Sequence, residues 1–112
     1  MTLRYQTQDG ILRVWLEGEL GHHEAICLMS RLSALVEDHL PTQMELDLSA
    51  LEFMDSSGIG VIMGRYRLMQ SVGGKVCAFG ITHRVDKLIE MSGIKRIVNI
   101  YTDEQTALRK EG

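Results

Sequence analysis

Helix-like and strand-like segments alternate along most of this chain, and that alternation restricts its fold more than any other feature of the sequence. Apolar residues recur at helical spacing in long segments, and short apolar or alternating runs separate these segments. The predicted helices cover residues 22–39, 57–71 and 82–93, and the predicted strands cover residues 44–49, 75–80 and 96–101. Strands that are joined through helices pair in parallel, with right-handed crossovers. The sequence therefore predicts an α/β fold with a mostly parallel sheet.

The two ends of the chain complete this outline. Residues 3–8 and 11–20 both alternate, and the Asp9-Gly10 pair between them is a strong hairpin signal. At the other end, "TDEQTALRK" predicts a terminal helix capped by Thr102 or Asp103. We therefore expect a single α/β domain over residues 1–112, with an N-terminal β-hairpin, a mixed sheet of four to five strands and about four helices.

Periodicity also predicts which side chains form the core. In the first helix the apolar positions at helical spacing are Ile26, Met29, Leu32, Leu35 and Val36. Methionine fills irregular gaps in cores, so we expect that role for Met54, Met63, Met69 and Met91. The two cysteines form no CxxC pair, and we expect both Cys27 and Cys77 to be small buried thiols in a reducing compartment.

Composition excludes several classes of function. The 112 residues are 45% hydrophobic and 24% charged, as is typical of a globular protein. A net charge of −3 with scattered basic residues argues against nucleic-acid binding, which normally needs a clustered basic surface. No apolar run approaches the roughly 18 residues of a membrane span, and no secretory signal is visible. We expect a cytoplasmic protein that does not act at a membrane.

The stretch "FMDSSGIG", residues 53–60, places an acid, two hydroxyls and two glycines between a strand and a helix. Sites in open α/β sheets gather beyond the carboxyl ends of the strands. Asp55 or Ser56 can cap the helix, which by itself explains an acid or a serine here. Gly58 and Gly60 each cost about 1 kcal/mol relative to alanine, so either close packing or the close approach of a ligand must favour them. A phosphate is the natural ligand for exposed amides at a helix start.

Two sources of such a phosphate remain open from the residues alone: a bound nucleotide, or covalent attachment to a serine. The segment "GIGVIMG" has one residue too many for a dinucleotide fingerprint, and "GGK" at residues 73–75 lacks the remainder of a P-loop. The segment "MDSSG" departs from the nucleophile elbow of serine hydrolases. His22 and His23 point in different directions on a helix and lack companion ligands, so we expect no metal and no cofactor.

Several longer segments of the chain carry a recognisable family pattern. The segments "LEGELGHHEA", "LDLSALEFMDSSGIGVIMGRY", "GGKVCAFG" and "MSGI" occur in order and at family spacing over nearly the whole chain. In these segments the chain resembles the STAS family of bacterial anti-sigma factor antagonists, most of all the members that antagonise the anti-sigma F factor of sporulation. The resemblance implies a single STAS domain that is a substrate of a serine kinase and is not itself an enzyme.

The resemblance also assigns expected roles to residues. It implies that the phosphate acceptor is the first serine of the Asp-Ser-Ser-Gly motif, Ser56, and that the loop around it contacts the partner. The motif residues that match the family are Asp55, Ser57, Gly58 and Gly60. Family members often carry an aspartate where this chain has Gly21, so the polar contact of that aspartate with the partner is either missing here or supplied by Glu19 or His22.

The partners implied are an anti-sigma factor that is also a serine kinase, with ATP or ADP bound to the kinase, and a PP2C-type serine phosphatase. The unphosphorylated form would bind the anti-sigma factor and release sigma F, and phosphorylation of Ser56 would end that binding. The alternative is a STAS-type domain that binds a small ligand or nucleotide at the same helix start.

Overall fold

The elements alternate as the sequence predicts. A computed structural model describes residues 1–102, and the predicted terminal helix lies outside the described residues. The strands are β1 (Thr2–Gln8), β2 (Ile11–Leu20), β3 (Gln43–Met54), β4 (Lys75–Ile81) and β5 (Asn99–Thr102). The helices are α1 (His22–His39), α2 (Ser56–Ser71) and α3 (His83–Ser92), followed by a 3-10 turn at Ile94–Arg96.

The five strands form one sheet in the order β1-β2-β3-β4-β5. The β1–β2 pair is the predicted antiparallel hairpin, and the three other pairs are parallel. The hairpin turns at Asp9 and Gly10, whose φ angles of 53° and 80° match the left-handed turn that an Asp-Gly pair favours. The mixed α/β sheet predicted from the sequence is confirmed.

The main core lies between the helices and one face of the sheet. In β2 the alternation is clean, because Leu12, Val14 and Leu16 are buried in the core while Ile11, Arg13 and Trp15 are half-buried on the other face. The strand order follows the chain order, so right-handed crossovers carry α1, α2 and α3 to the same face. That arrangement leaves the outward side of the helices free to carry a site.

Two strand boundaries differ from the prediction. β3 runs to Met54 instead of residue 49, because it continues to pair with β2 across register shifts that interrupt the alternation of the sequence. The last strand was predicted over residues 96–101, yet β5 begins only at Asn99. Residues 94–98 form a turn in which the Val98 amide donates to the Ile94 carbonyl, and this turn buries both side chains.

Four side chains expected in the core are exposed instead. Ile26 and Met29 are 58% and 42% exposed, because α1 packs through Ala25, Leu28, Leu32 and Val36. Met91 is 77% exposed at the end of α3. Cys27 is exposed beside Ile26, whereas Cys77 is buried as predicted.

The open face of the sheet carries a polar cluster centred on Asp47. The Asp47 carboxylate accepts from the Arg13 guanidinium at 3.1 Å and from the Ser49 amide and hydroxyl at 3.0 and 2.6 Å. Burial on its own would raise the pKa of the Asp47 carboxyl, but the hydrogen bonds from Ser49 and Arg13 outweigh it, so the pKa lies below its ordinary value of 3.8. The charged carboxylate thus ties β3 to β2.

This cluster predicts an acid-sensitive contribution to stability. A carboxyl whose pKa is lower in the folded protein stabilises it above the unfolded pKa, and the contribution is lost as the pH falls through the folded pKa. We expect Asp47→Asn to lower the free energy of unfolding by about 1–2 kcal/mol at pH 7. The difference from the wild type should shrink as the pH falls below 3.8.

Urea unfolding at several pH values between 7 and 2 measures that difference. Asp38, an exposed acid of α1, provides the matched control Asp38→Asn, which also removes one negative charge. A difference between wild type and Asp47→Asn that stays constant with pH would show that the Asp47 charge contributes nothing.

Candidate functional site

Parallel pairing of β2 with β3 brings two helix starts together. The register places Leu20, the last residue of β2, opposite Met54, the last residue of β3. The Asp55 amide then donates to the Leu20 carbonyl at 3.3 Å, so the chain leaves both strands at one point of the sheet edge. α1 and α2 consequently begin side by side, and the positive ends of both helix dipoles face the same region.

Asp55 is the N-cap of α2. Its backbone is extended, and its Oδ1 accepts from the Ser57 amide at 2.8 Å. The sequence left either Asp55 or Ser56 as the cap, and the structure assigns Asp55. This hydrogen bond holds the Ser57 backbone in the first turn of α2 and leaves Ser56 at the first position of the helix.

The two serines differ in their surroundings. Ser56 is exposed, and its hydroxyl forms no hydrogen bond within residues 1–102. The Ser57 side chain is half-buried, with its Oγ 3.4 Å from Nδ1 of His22 on α1. Ser56 is therefore the hydroxyl that a second protein can reach directly.

The two glycines of the motif serve different purposes. A Cβ on Gly58 would lie 2.3 Å from Cγ and 2.6 Å from Sδ of Met54, and 3.2 Å from Cδ2 of Leu20. A Cβ on Gly60 would meet nothing within 4 Å. Gly58 thus allows α2 to pack closely on the strand ends, whereas no internal contact requires Gly60.

Gly21 lies inside the same site. It is the N-cap of α1, and its amide donates to the Glu24 carboxylate at 3.3 Å. A Cβ on Gly21 would lie 3.7 Å from Oδ2 of Asp55 and 3.9 Å from the Phe53 ring. Its φ of −100° is open to any residue, so backbone conformation does not demand glycine here. A side chain at position 21 would point toward Asp55.

The remaining predicted residues fall at or near this edge. His22 reaches the site through Ser57, whereas Glu19 is exposed on β2, opposite Phe53 of β3, and forms no ion pair within the described part of the chain. Sequence reasoning overlooked Phe53, whose side chain is 48% exposed beside Gly21. It also overlooked Glu24, although a Glu three residues after a cap is a recognisable capping-box signal.

The described residues contain no metal site and no membrane-spanning helix, and a cavity among them lies away from the start of α2. No group of three or more His, Cys, Asp or Glu side chains among residues 1–102 could hold a metal ion. None of the three helices combines the length and the apolar character that a membrane crossing requires. A cavity of about 410 Å³ is lined by Gln6, Gln8, Asp9, Ile11, Arg13, Trp15 and Glu45, and it lies at the hairpin end of the sheet, away from the start of α2.

Fold and site together define a small α/β domain with an exposed serine at a capped helix start. The sequence matches the family model of the STAS domain over residues 2–107. The chain belongs to the STAS family.

Similar proteins carry a consistent description. The anti-sigma F factor antagonist of Paenibacillus polymyxa is 38% identical over 108 residues, which cover 96% of this chain and 92% of the relative. The structure of the anti-sigma factor antagonist SpoIIAA in its unphosphorylated form is 26% identical, with a TM-score of 0.79 over 99% of this chain and 97% of that one. The Bacillus cell fate determinant SpoIIAA in its phosphorylated form is 25% identical, with a TM-score of 0.70 over 96% and 98%.

The two glycines give a matched pair of predictions for stability. We expect Gly58→Ala to destabilise the protein by about 1–2 kcal/mol, because the new methyl group overpacks Met54 and Leu20. We expect Gly60→Ala to stabilise it by up to about 1 kcal/mol, because alanine favours the helix and the methyl group meets open space. Urea unfolding at pH 7 measures both, and the opposite order would contradict the packing described for α2.

Proposed function

We propose that this protein is an anti-anti-sigma factor whose binding to an anti-sigma factor is switched off by phosphorylation of Ser56. The observation that carries the proposal is the exposed hydroxyl of Ser56 at the Asp55-capped start of α2, in a chain of the STAS family. In the unphosphorylated form the protein binds an anti-sigma factor that is also a serine kinase, with ATP or ADP on the kinase. Sigma F is thereby released.

Geometry favours Ser56 over Ser57 as the acceptor. An acceptor hydroxyl must reach the γ-phosphate of ATP in the active site of another protein. Ser56 is exposed at the first position of α2, whereas the Ser57 side chain is half-buried against His22. In the transfer, the Ser56 oxygen forms the new bond to phosphorus, ADP leaves, and the hydroxyl proton passes to a base of the kinase.

A phosphate at this position changes the surface more than the fold. It adds about 1.5 to 2 negative charges and three strong acceptor oxygens. The dipole of α2 tolerates negative charge at its start, so the helix need not melt. Asp55 repels the phosphate, which therefore points outward into the surface that contacts the partner. Like charges brought together in an interface cost several kcal/mol, which corresponds to binding at least about 100-fold weaker.

The remaining parts of the proposal follow from this substrate role. The protein needs no cofactor of its own, because the nucleotide is held by the kinase. A PP2C-type serine phosphatase removes the phosphate and restores binding. The protein works in the cytoplasm as a single STAS domain, without nucleic acid or membrane. The surface around Glu19, Gly21, His22, Asp55, Ser57 and Gly60 contacts the kinase, and the buried Gly58 supports this surface by letting α2 pack closely on the strand ends.

Phosphate mapping tests the acceptor. The protein is incubated with its cognate anti-sigma factor and ATP, and the phosphate is located by peptide mass spectrometry. We expect stoichiometric modification of Ser56 in the wild type and in Ser57→Ala, and none in Ser56→Ala. Modification at Ser57 alone would overturn the assignment. No modification, together with tight nucleotide binding by the isolated protein, would favour the ligand-binding alternative.

Binding measurements test the switch itself. Ser56→Ala should bind the anti-sigma factor like the wild type and stay bound when ATP is added. Ser56→Asp should bind at least about 10-fold more weakly, since a carboxylate supplies part of the charge of a phosphate. If Ser56→Asp bound as tightly as the wild type, repulsion by charge would not explain the release.

A further inference from the structure

Arg65 is a buried cation at the contact between α1 and α2. It is 8% exposed, and its Nη1 donates to the Met29 carbonyl at 2.9 Å and to the Ser33 hydroxyl at 2.5 Å. The Nε atom is buried without a hydrogen-bond partner among residues 1–102. Burial lowers the pKa of the Arg65 guanidinium, which still keeps its proton at neutral pH.

The charge of Arg65 has no acidic partner in the described part of the chain. The ion pairs of residues 1–102 involve Arg13 and Lys95, and no carboxylate lies within 4 Å of the Arg65 guanidinium. Buried charges are normally paired, because removing a charge from water is costly. The neutral acceptors on α1 satisfy part of the hydrogen bonding and leave the charge uncompensated.

Arg65 lines a shallow groove that opens to solvent. The groove, which we call the α1/α2 groove, has a volume of about 420 Å³ and is lined by Met29, Ser30, Ser33, Ala34, Glu37 and Arg65. Glu37 lies beyond ion-pair distance of Arg65 and belongs to the last turn of α1. The part of the groove nearer the start of the helices therefore combines one positive charge with apolar and hydroxyl side chains.

An exposed stripe on α1 joins this groove to the start of α2. His22, Ile26, Met29 and Ser33 follow one another at intervals of three or four residues, so they share one side of the helix. His22 contacts Ser57 at one end of the stripe, and Ser33 contacts Arg65 at the other. Between them, Ile26 and Met29 expose 58% and 42% of their surface.

The two ends of the stripe are close enough for one contact surface. Arg65 follows Ser56 by nine positions, which is about 14 Å along the axis of α2. These nine positions are about two and a half turns, so the two residues lie on opposite sides of α2, and the stripe on α1 connects them. A typical protein–protein interface covers about 800 Å² on each partner, which is wide enough to include both residues. Gly60 and Gly64 lie along the same helix with open space where a Cβ would be, so a partner can approach its backbone.

We propose that the α1/α2 groove receives an acidic side chain of the anti-sigma factor, which pairs with Arg65 while Ile26 and Met29 make apolar contacts beside it. This inference rests on the proposed function, because it concerns the same partner. A carboxylate provides the charge that Arg65 lacks, and an apolar surface around a desolvated ion pair is typical of the centre of an interface. The contact surface thus extends from the start of α2 along the stripe on α1.

A charge swap at the rim of the groove tests the proposal without disturbing Arg65. Ser30 is exposed on α1 and lines the groove, so Ser30→Glu and Ser30→Lys add side chains of similar size and opposite charge. We expect Ser30→Glu to bind the cognate anti-sigma factor at least 10-fold more weakly than Ser30→Lys. The difference should shrink at high salt, which screens interactions between charges.

Two further pairs of variants distinguish an effect on the groove from an effect of net charge or of removing any exposed apolar side chain. Met91→Glu and Met91→Lys, on the exposed end of α3, should bind equally and report any effect of net charge alone. Ile26→Ser should weaken binding several-fold, whereas Ile97→Ser, at a site 48% exposed at the β5 end of the sheet, should leave it unchanged. Thermal unfolding of each variant verifies that the fold is intact.

The outcomes distinguish the two proposals. Equal affinities of Ser30→Glu and Ser30→Lys would contradict the proposed role of the groove, and so would an equally large difference in affinity between Met91→Glu and Met91→Lys. Either result would leave the phosphorylation switch at Ser56 in place. A wild-type protein that does not bind the anti-sigma factor at all would overturn both.

Discussion

The parallel alignment of β2 with β3 is the constraint on which the site depends. It ends the two strands at the same level, with Leu20 opposite Met54, and the next residue of each chain segment caps a helix. The starts of α1 and α2 are therefore adjacent although His22 and Ser56 are 34 positions apart in the sequence. Without that alignment, His22 would not reach Ser57, and Gly21 would not lie beside Asp55.

The two sides of α2 have different roles. Its inner side is close-packed: Gly58 lets the helix sit against Met54 and Leu20, and Val61, Ile62 and Met69 continue the core. Its outer side has Ser56 and Gly60, which no internal contact requires. Because stability resides on the inner side, charge can be added to or removed from the outer side with little effect on folding. A phosphorylation switch needs that separation.

Much of this organisation could be predicted from the sequence. The Asp9-Gly10 turn, the alternation of β2 and the helical segments predicted the mixed sheet because each depends on neighbouring residues alone. The motif at residues 53–60 predicted a candidate site at the end of β3, since parallel sheets place sites at strand ends. The resemblance of several segments to STAS proteins predicted that the chain belongs to this family, and the match of the STAS family model over residues 2–107 confirms it.

What could not be predicted depends on contacts between distant segments. Helical spacing grouped Ile26 and Met29 with the other apolar residues of α1. It could not decide whether their side of the helix or the side of Ala25 and Leu28 faces the core. The boundary of β3 depended on its pairing with β2 across a register shift. The different roles of Gly58 and Gly60 followed from Met54 and Leu20, and the unpaired charge of Arg65 followed from the packing of α2 on α1.

The central claim is that phosphorylation of Ser56 changes the contact surface while the fold stays the same. Amide hydrogen exchange of the phosphorylated and unphosphorylated protein, followed residue by residue, tests it most directly. We predict that changes in protection are confined to the starts of α1 and α2, near residues 21–23 and 55–60, and that β3 and β4 exchange alike in both forms. A change in protection spread across those central strands would contradict the account, because it would place the switch in the core.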